Sequence, residues 1–109
     1  MFVLKKQDEP IEWPVEVEVP VNGGKVEKQE FTAHFKLLDQ DEIDAESAKG
    51  DVSFMTVILV GWGEDVKDSK GEKIPFGKEP LRAMTKTVHV RKAIVKAYYQ
   101  MAAGIARKN

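Results

Sequence analysis

Few side chains in this 109-residue chain are of the types that carry out chemistry. It has no cysteine, which excludes disulfides, thiolate metal sites and cysteine nucleophiles, and only His34 and His89 could serve as imidazole ligands. Glu16 and Glu18 could act as an acid–base pair, but alternating glutamates on a solvated strand face usually serve solubility. No serine has a base near it in sequence, so no nucleophilic site is assembled. We therefore predict a protein that is not an enzyme and that takes no cofactor or metal.

Two glycine-containing segments begin nucleotide-binding motifs without completing them. Gly61-Trp62-Gly63 starts a G-x-G-x-x-G pattern, but Val66 stands where the last glycine belongs. Gly71-Glu72-Lys73 lacks the rest of a phosphate-binding loop. These segments therefore do not predict a nucleotide site.

Charge is balanced over the whole chain but divided along it. The formal net charge is -1, yet residues 1–50 hold 12 acidic and 6 basic residues, and residues 51–109 hold 6 acidic and 11 basic ones. Two interpretations stay open: the halves neutralise each other within one fold, or copies of the chain stack head to tail. Arg91, Lys92 and Lys96 are the one candidate for a nucleic-acid contact, but no exposed aromatics are interleaved with them, which favours a solvated face.

The first third of the chain predicts a β-hairpin. Residues 11–21 carry apolar residues at odd positions and Glu or Pro at even ones, the period of a half-buried strand. Asn22-Gly23-Gly24 is a strong turn signal, and residues 25–36 form the predicted return strand. The two prolines of the first strand share parity, so their missing N–H groups would point to one free edge of the sheet.

The register of this hairpin follows from parity. Because apolar residues are odd-numbered on both strands, the numbers of facing residues must add to an even number. That condition selects a three-residue loop, which pairs Val21 with Lys25 and Val15 with Phe31.

The rest of the chain is largely helical in pattern. Asp39 and Glu42 predict a capping box for a short acidic helix over residues 40–48. Residues 52–60, with Asp51 as a potential cap, suit either a helix or a buried strand, and the short connections on both sides slightly favour the helix.

Two more helices are predicted after Ile74-Pro75-Phe76. The first is short and holds Pro80 in its first turn, where proline is tolerated. The second runs from Thr87, and its apolar stripe consists of Val90, Ile94, Ala97, Tyr98, Met101 and Ile105. We therefore predict one α+β domain over residues 1–109. It has an N-terminal β-hairpin, with Phe2-Val3-Leu4 open as a third short strand, packed on three to four helices with a long C-terminal amphipathic helix.

Short motifs follow one another in a distinctive order along the chain. After the valine-rich hairpin with its Asn-Gly-Gly turn come Phe31-Thr32-Ala33-His34-Phe35-Lys36, Asp41-Glu42-Ile43, Val60-Gly61-Trp62-Gly63, Val66-Lys67-Asp68 before Gly71, and Ile74-Pro75-Phe76. A tyrosine-containing helix closes the series. From about Val15 to Met101, this order resembles the small tail assembly chaperones of long-tailed bacteriophages and prophages.

The resemblance implies a protein that is made in the host bacterial cytoplasm and is absent from the finished virion. Such proteins are not enzymes; they coat the long tape measure protein and help to recruit tail tube subunits. A longer version made by translational frameshifting often carries the tube-binding extension, and this chain would correspond to the short form.

A coat for an elongated helical partner needs an apolar patch and a way to stack. The large apolar candidates for the patch, each of which could instead belong to the core, are Trp62, Phe76, Met84 and Tyr98. For stacking, we predict that the acidic helix of one copy meets the basic face of the next, with the Trp62–Phe76 region as an apolar anchor. The charged residues of that contact are Asp41, Glu42 and Asp44 on one side, and Arg91, Lys92 and Lys96 on the other.

Two other classes of function stay open. One is a structural virion subunit, such as a tail-tube or head-completion protein, whose hairpin would extend the sheet of a neighbour. The other is a small nucleic-acid-binding regulator that uses the last helix.

Overall fold

The chain folds into a three-stranded antiparallel sheet and four helices in a computed structural model that describes residues 1–4 and 8–107. The elements are β1 (Ile11–Val21), β2 (Lys25–Phe35), α1 (Gln40–Ser47), α2 (Asp51–Ile58), β3 (Leu59–Trp62), α3 (Lys78–Lys86) and α4 (Val88–Ala102). The strands lie side by side in the order β1-β2-β3. The predicted α+β class, with a hairpin first and a long helix last, is confirmed.

The hairpin has the predicted register. Val21 pairs with Lys25 and Val15 with Phe31 across a three-residue turn, whose two glycines have φ angles of 86° and 74°. Positive φ angles of this size are strained for residues with a side chain, which accounts for glycine at both positions. Odd-numbered residues share the face that packs on the helices, and Val15 and Phe31 are buried there. The two prolines lie on β1, an edge strand of the sheet, as predicted.

The apolar run at residues 52–60 forms both of its predicted alternatives in succession. α2 ends at Ile58, and Leu59 begins β3, which pairs with residues 33–35 of β2. The helix joins the sheet directly, since the Ile58 carbonyl accepts a hydrogen bond from the Lys36 N–H at 2.8 Å. Both halves of the run contribute to the core, with Phe54, Met55 and Ile58 buried in α2 and Leu59 buried in β3, so the apolar pattern contains no boundary between them.

Two smaller predictions are wrong. Residues 1–4 form no strand, and β3 is the third strand of the sheet instead. Asp51 is the first helical residue of α2 rather than its cap, because the cap position falls on Gly50, whose φ of 101° lets the chain turn sharply out of α1.

The capping box of α1 is confirmed. The Asp39 carboxylate accepts the Glu42 N–H at 2.9 Å, and the Glu42 carboxylate accepts the Asp39 N–H at 3.2 Å. Ile43 is the one residue of α1 that is buried, so this helix covers the core with a single side chain and presents its acids to solvent.

The apolar stripe of α4 is confirmed over most of its length. Its buried members are Ile94, Ala97, Tyr98 and Met101, and Val90 is half-buried. The prediction for Ile105 is wrong, since this residue lies beyond the helix and is exposed. Gly104, with a φ of 72°, ends the helix, and the Ile105 N–H turns back to the Gln100 carbonyl at 2.8 Å.

Tyr98 ties α4 to the end of the sheet. Its ring is fully buried and meets Phe35 and Phe54 edge-on, with centroids 5.3 and 5.5 Å away. Its hydroxyl donates to the Lys36 carbonyl and accepts the Leu38 N–H, both at 2.9 Å. These two bonds satisfy the backbone where the chain leaves β2 for α1, so one side chain joins the sheet, α2 and α4.

We expect Tyr98→Phe to lower the free energy of unfolding by about 1–3 kcal/mol, because the buried Leu38 N–H would lose its acceptor. Denaturant unfolding measures the change. The matched control is Tyr99→Phe, since the Tyr99 ring is partly exposed and stacks on Phe54 with no described hydroxyl bond. The control should shift stability by less than about 0.5 kcal/mol. Equal losses in the two variants would contradict this role for the Tyr98 hydroxyl.

The same hydroxyl should make stability fall at alkaline pH. Burial raises the pKa of Tyr98 above its ordinary value of 10.0, the hydrogen bond from Leu38 acts in the opposite direction, and Glu42 adds to the rise. The folded protein therefore keeps a proton that the unfolded chain releases, so the stabilisation is complete below about pH 10 and is lost as pH rises through the folded pKa. Unfolding curves measured from pH 8 upward should decline less steeply in Tyr98→Phe. An unchanged decline would argue against Tyr98 as the titrating group.

Candidate partner-binding groove

An open apolar groove lies between the outer half of the hairpin and the last two helices. Its volume is about 420 Å³. The apolar side chains that line it are Val17, Val19 and Phe31 from the hairpin, Trp62, Val66 and Ile74 from β3 and the loop after it, and Pro80, Ala83, Met84 and Val90 from the helical side. A concave surface of this size and lining suits apolar side chains of a ligand.

The groove exists because the sheet ends early on this side. After β3, the Gly63 N–H donates to the Thr32 carbonyl at 2.9 Å. The Asp65 carboxylate then accepts the Thr32 N–H at 3.1 Å and the Thr32 hydroxyl at 2.9 Å. Asp65 thus takes the place of the next strand carbonyl and stops the ladder. Among the described residues, the outer half of β2 has β1 as its one strand partner, so its apolar face forms a wall of the groove.

The loop after β3 forms the opposite wall and is held by Trp62. The indole N–H of Trp62 donates to the Ile74 carbonyl at 2.7 Å, and the Ile74 N–H donates to the Val66 carbonyl at 2.8 Å. A turn closes the tip of the loop, where the Gly71 N–H donates to the Asp68 carbonyl at 3.0 Å. This ladder keeps the two arms of the loop together beside the groove.

Three of the four predicted patch residues lie at or beside the groove. Trp62 is 7% exposed and forms its base, and Met84 is half-buried in its helical wall. Phe76 is exposed and packs edge-on against Trp62, with ring centroids 4.8 Å apart. The prediction for Tyr98 is wrong, because its ring is completely buried and its hydroxyl is bonded to the backbone of the β2–α1 connection.

The hairpin wall was not predicted as part of a site. Val17, Val19 and Phe31 share the odd parity of the apolar face, and the alternating pattern predicts only that this face of the hairpin is the buried one. Parity identifies the face but not how far along it the helices extend. Val19 is only half-buried, because the helices and the loop leave the outer hairpin open.

Polar residues border the groove without forming a reaction centre. Its charged rim consists of Glu30, Asp65 and Lys67, and the half-buried His89 lies at the start of α4. His34 is also half-buried, since β3 passes beside it: a Cβ on Gly61 would lie 2.9 Å from the His34 Nδ1. Within residues 1–4 and 8–107, no three His, Asp or Glu side chains are grouped to hold a metal ion.

A second, larger depression of about 740 Å³ lies between β1 and α4, and its lining combines charged with apolar side chains. Lys92 and Lys96 line it together with Glu16 and Glu18. Arg107 crosses from the end of the chain to the hairpin, with its guanidinium 3.5 Å from the Glu16 carboxylate and in contact with Glu30. The acidic and basic halves of the chain thus neutralise each other in part within one molecule.

The residues predicted for self-association differ in their exposure and in the hydrogen bonds they already make. Asp41, Asp44, Lys92 and Lys96 are exposed, while the Glu42 carboxylate is part of the capping box. Arg91 does not belong to the open basic face: it is half-buried, and its Nη1 donates to the Thr85 carbonyl at 2.7 Å, which ties α4 to α3. Contact between the remaining acidic and basic residues of neighbouring copies stays a prediction.

No protein-family model, curated protein or solved structure matches the chain. None of the helices in the described part of the chain has the length and apolar content needed to cross a membrane. The groove is therefore the main structural observation from which a function can be argued.

We expect Trp62→Phe to loosen the loop wall of the groove and to cost about 1 kcal/mol of stability, because the Ile74 carbonyl would lose its donor. Amide hydrogen exchange should accelerate in residues 66–74 while the hairpin stays protected. The control is Trp13→Phe, a half-buried indole with no hydrogen bond among the described residues. Unchanged exchange in residues 66–74 of Trp62→Phe would show that the indole does not hold the loop.

Proposed function

We propose that the protein is a tail assembly chaperone of a long-tailed phage or prophage. In the host bacterial cytoplasm it would bind the tape measure protein and help to recruit tail tube subunits. The motif order supplies the family, and the observation that carries the proposal is the apolar groove between the hairpin and α3. The groove is the surface that we assign to the tape measure protein.

An amphipathic helix fits this assignment chemically. A tape measure protein is long and rich in such helices, and their apolar stripes would aggregate if nothing covered them. Val19 and Phe31 on one wall and Ala83 and Met84 on the other offer contacts for side chains spaced one helical turn apart. The charged rim would face the polar flanks of such a helix.

A structural virion subunit is the second candidate, and one observation favours it. The outer half of β2 extends past β3, and Val21 and Val26 are exposed near the hairpin tip. An unpaired strand edge of this kind can add a strand from a neighbouring subunit. The regulator hypothesis gains less support, because Glu16 and Glu18 share the depression that holds Lys92 and Lys96 and would repel phosphates.

The groove assignment is tested by placing a charge on its helical wall. Ala83→Glu and Met84→Glu should each weaken the capture of a labelled amphipathic tape measure segment at least about 10-fold, as measured by fluorescence anisotropy. Ala83 is exposed, so its variant places no charge in the core.

Val52→Glu is the matched control for these variants. It adds the same charge at an exposed apolar residue of α2, away from the groove, and should leave capture unchanged. Equal capture by all three variants would remove the groove from the binding site. If no protein, wild type included, captured the segment, that result would argue against the chaperone function itself.

A further inference from the structure

The turn of the hairpin holds an asparagine that is followed directly by glycine, Asn22-Gly23. The side-chain amide of an asparagine is open to attack by the backbone nitrogen of the next residue, and glycine hinders that attack least because it has no side chain. Both residues are exposed, and a Cβ built on Gly23 would meet no heavy atom within 4 Å beyond its chain neighbours. The turn therefore leaves room for the attack and for water.

Hydrogen bonds do not restrain the two groups that would react. In the described part of the chain, neither the Asn22 side chain nor the Gly23 N–H has a hydrogen-bond partner. Asp68-Ser69, in the loop after β3, offers a comparison, because an aspartate followed by a small residue can close the same kind of ring. There the Asp68 carboxylate accepts the N–H groups of Lys70 and Glu72 at 2.8 and 3.0 Å, which fix its position. The Asn22 amide has no such restraint and can turn towards Gly23.

We infer that Asn22 is a site of spontaneous deamidation. A base removes the proton of the Gly23 N–H, and the nitrogen attacks the Asn22 Cγ, which its place in the chain holds nearby. The new N–Cγ bond closes a succinimide ring, the Cγ–Nδ2 bond breaks, and the amide nitrogen takes up a proton and leaves as ammonia. Water then opens the ring. Attack of water at Cγ gives aspartate, and attack at the backbone carbonyl carbon gives isoaspartate; each route consumes one water and releases one ammonia.

Isoaspartate would loosen the outer end of the hairpin. It routes the main chain through Cβ, which adds a backbone atom to the turn and leaves a new carboxylate there. The three-residue turn pairs Val21 with Lys25, and a longer turn no longer fits that pair, so pairing nearest the tip opens first. Val19, which lines the apolar groove, pairs with Glu27 two positions further along β1. Deamidation would therefore loosen the hairpin wall of the groove. The inference goes beyond the proposed function, since it requires no tape measure partner.

Prolonged incubation of the purified protein at mildly alkaline pH tests the inference. The intact mass should rise by the difference between an amide and an acid, and peptide mapping should place the change at residue 22. Protein isoaspartyl methyltransferase should methylate that peptide and not the peptide that holds residue 68. The reaction should accelerate as pH rises, because the attacking nitrogen must lose its proton. In the aged protein, amide hydrogen exchange should accelerate over residues 19–27 and stay slow over residues 31–35.

Asn22→Gln is the matched control. It keeps a side-chain amide but must close a larger ring, so it should release ammonia at least about 10-fold more slowly. The φ of Asn22 is not positive, so glutamine fits the turn without strain. Equal mass changes in the two proteins after the same incubation would overturn the inference. So would isoaspartate at residue 68 in place of residue 22, or unchanged exchange at the hairpin tip of the deamidated protein.

Discussion

The hydroxyl of Tyr98 sets the position of the helical layer on the sheet. It bonds to the backbone on both sides of residue 37, where β2 ends and the chain turns towards α1, and its ring contacts β2 and α2. A polar group buried this deeply must be satisfied, and here it satisfies two backbone groups in return. This anchor lies in the second half of α4, so it joins the sheet and the helices at the inner end of the hairpin, where β2 ends. The outer end is left to other contacts.

The groove follows from that asymmetry. The hairpin is two strands of 11 residues, but β3 has only four and ends where Asp65 takes over the hydrogen bonds of Thr32. The apolar face of the hairpin therefore continues past the third strand, and the loop pinned by Trp62 stands opposite it. A uniform amphipathic ribbon next to a shorter third strand leaves part of its apolar face without an internal partner. The proposed function concerns what occupies that face.

Charged contacts and apolar contacts would have different roles when the protein binds a partner. Arg107 already neutralises Glu16 and Glu30 within the molecule, so fewer acids remain for a neighbouring copy than the sequence counts suggest. Exposed ion pairs contribute about 0–1 kcal/mol each, which is too little to hold copies together without apolar burial. Charged rims would steer and align an encounter, while apolar contact in the groove would supply most of the affinity.

The sequence by itself determined the features that depend on near neighbours in the chain. The parity of apolar residues selected the register in which Val15 faces Phe31, and the Asp39–Glu42 pair specified the start of α1. Tertiary structure decided what depends on distant partners. Residues 52–60 change from helix to strand because Leu59 pairs with Phe35 of β2 and the Ile58 carbonyl accepts the Lys36 N–H, contacts that no local period records. Tyr98, Trp62 and Met84 looked alike as large apolar residues. Tyr98 lies in the core, Trp62 forms the base of the groove and Met84 belongs to its wall. Their burial differs because it depends on which faces other elements cover, and that is decided only when distant segments pack.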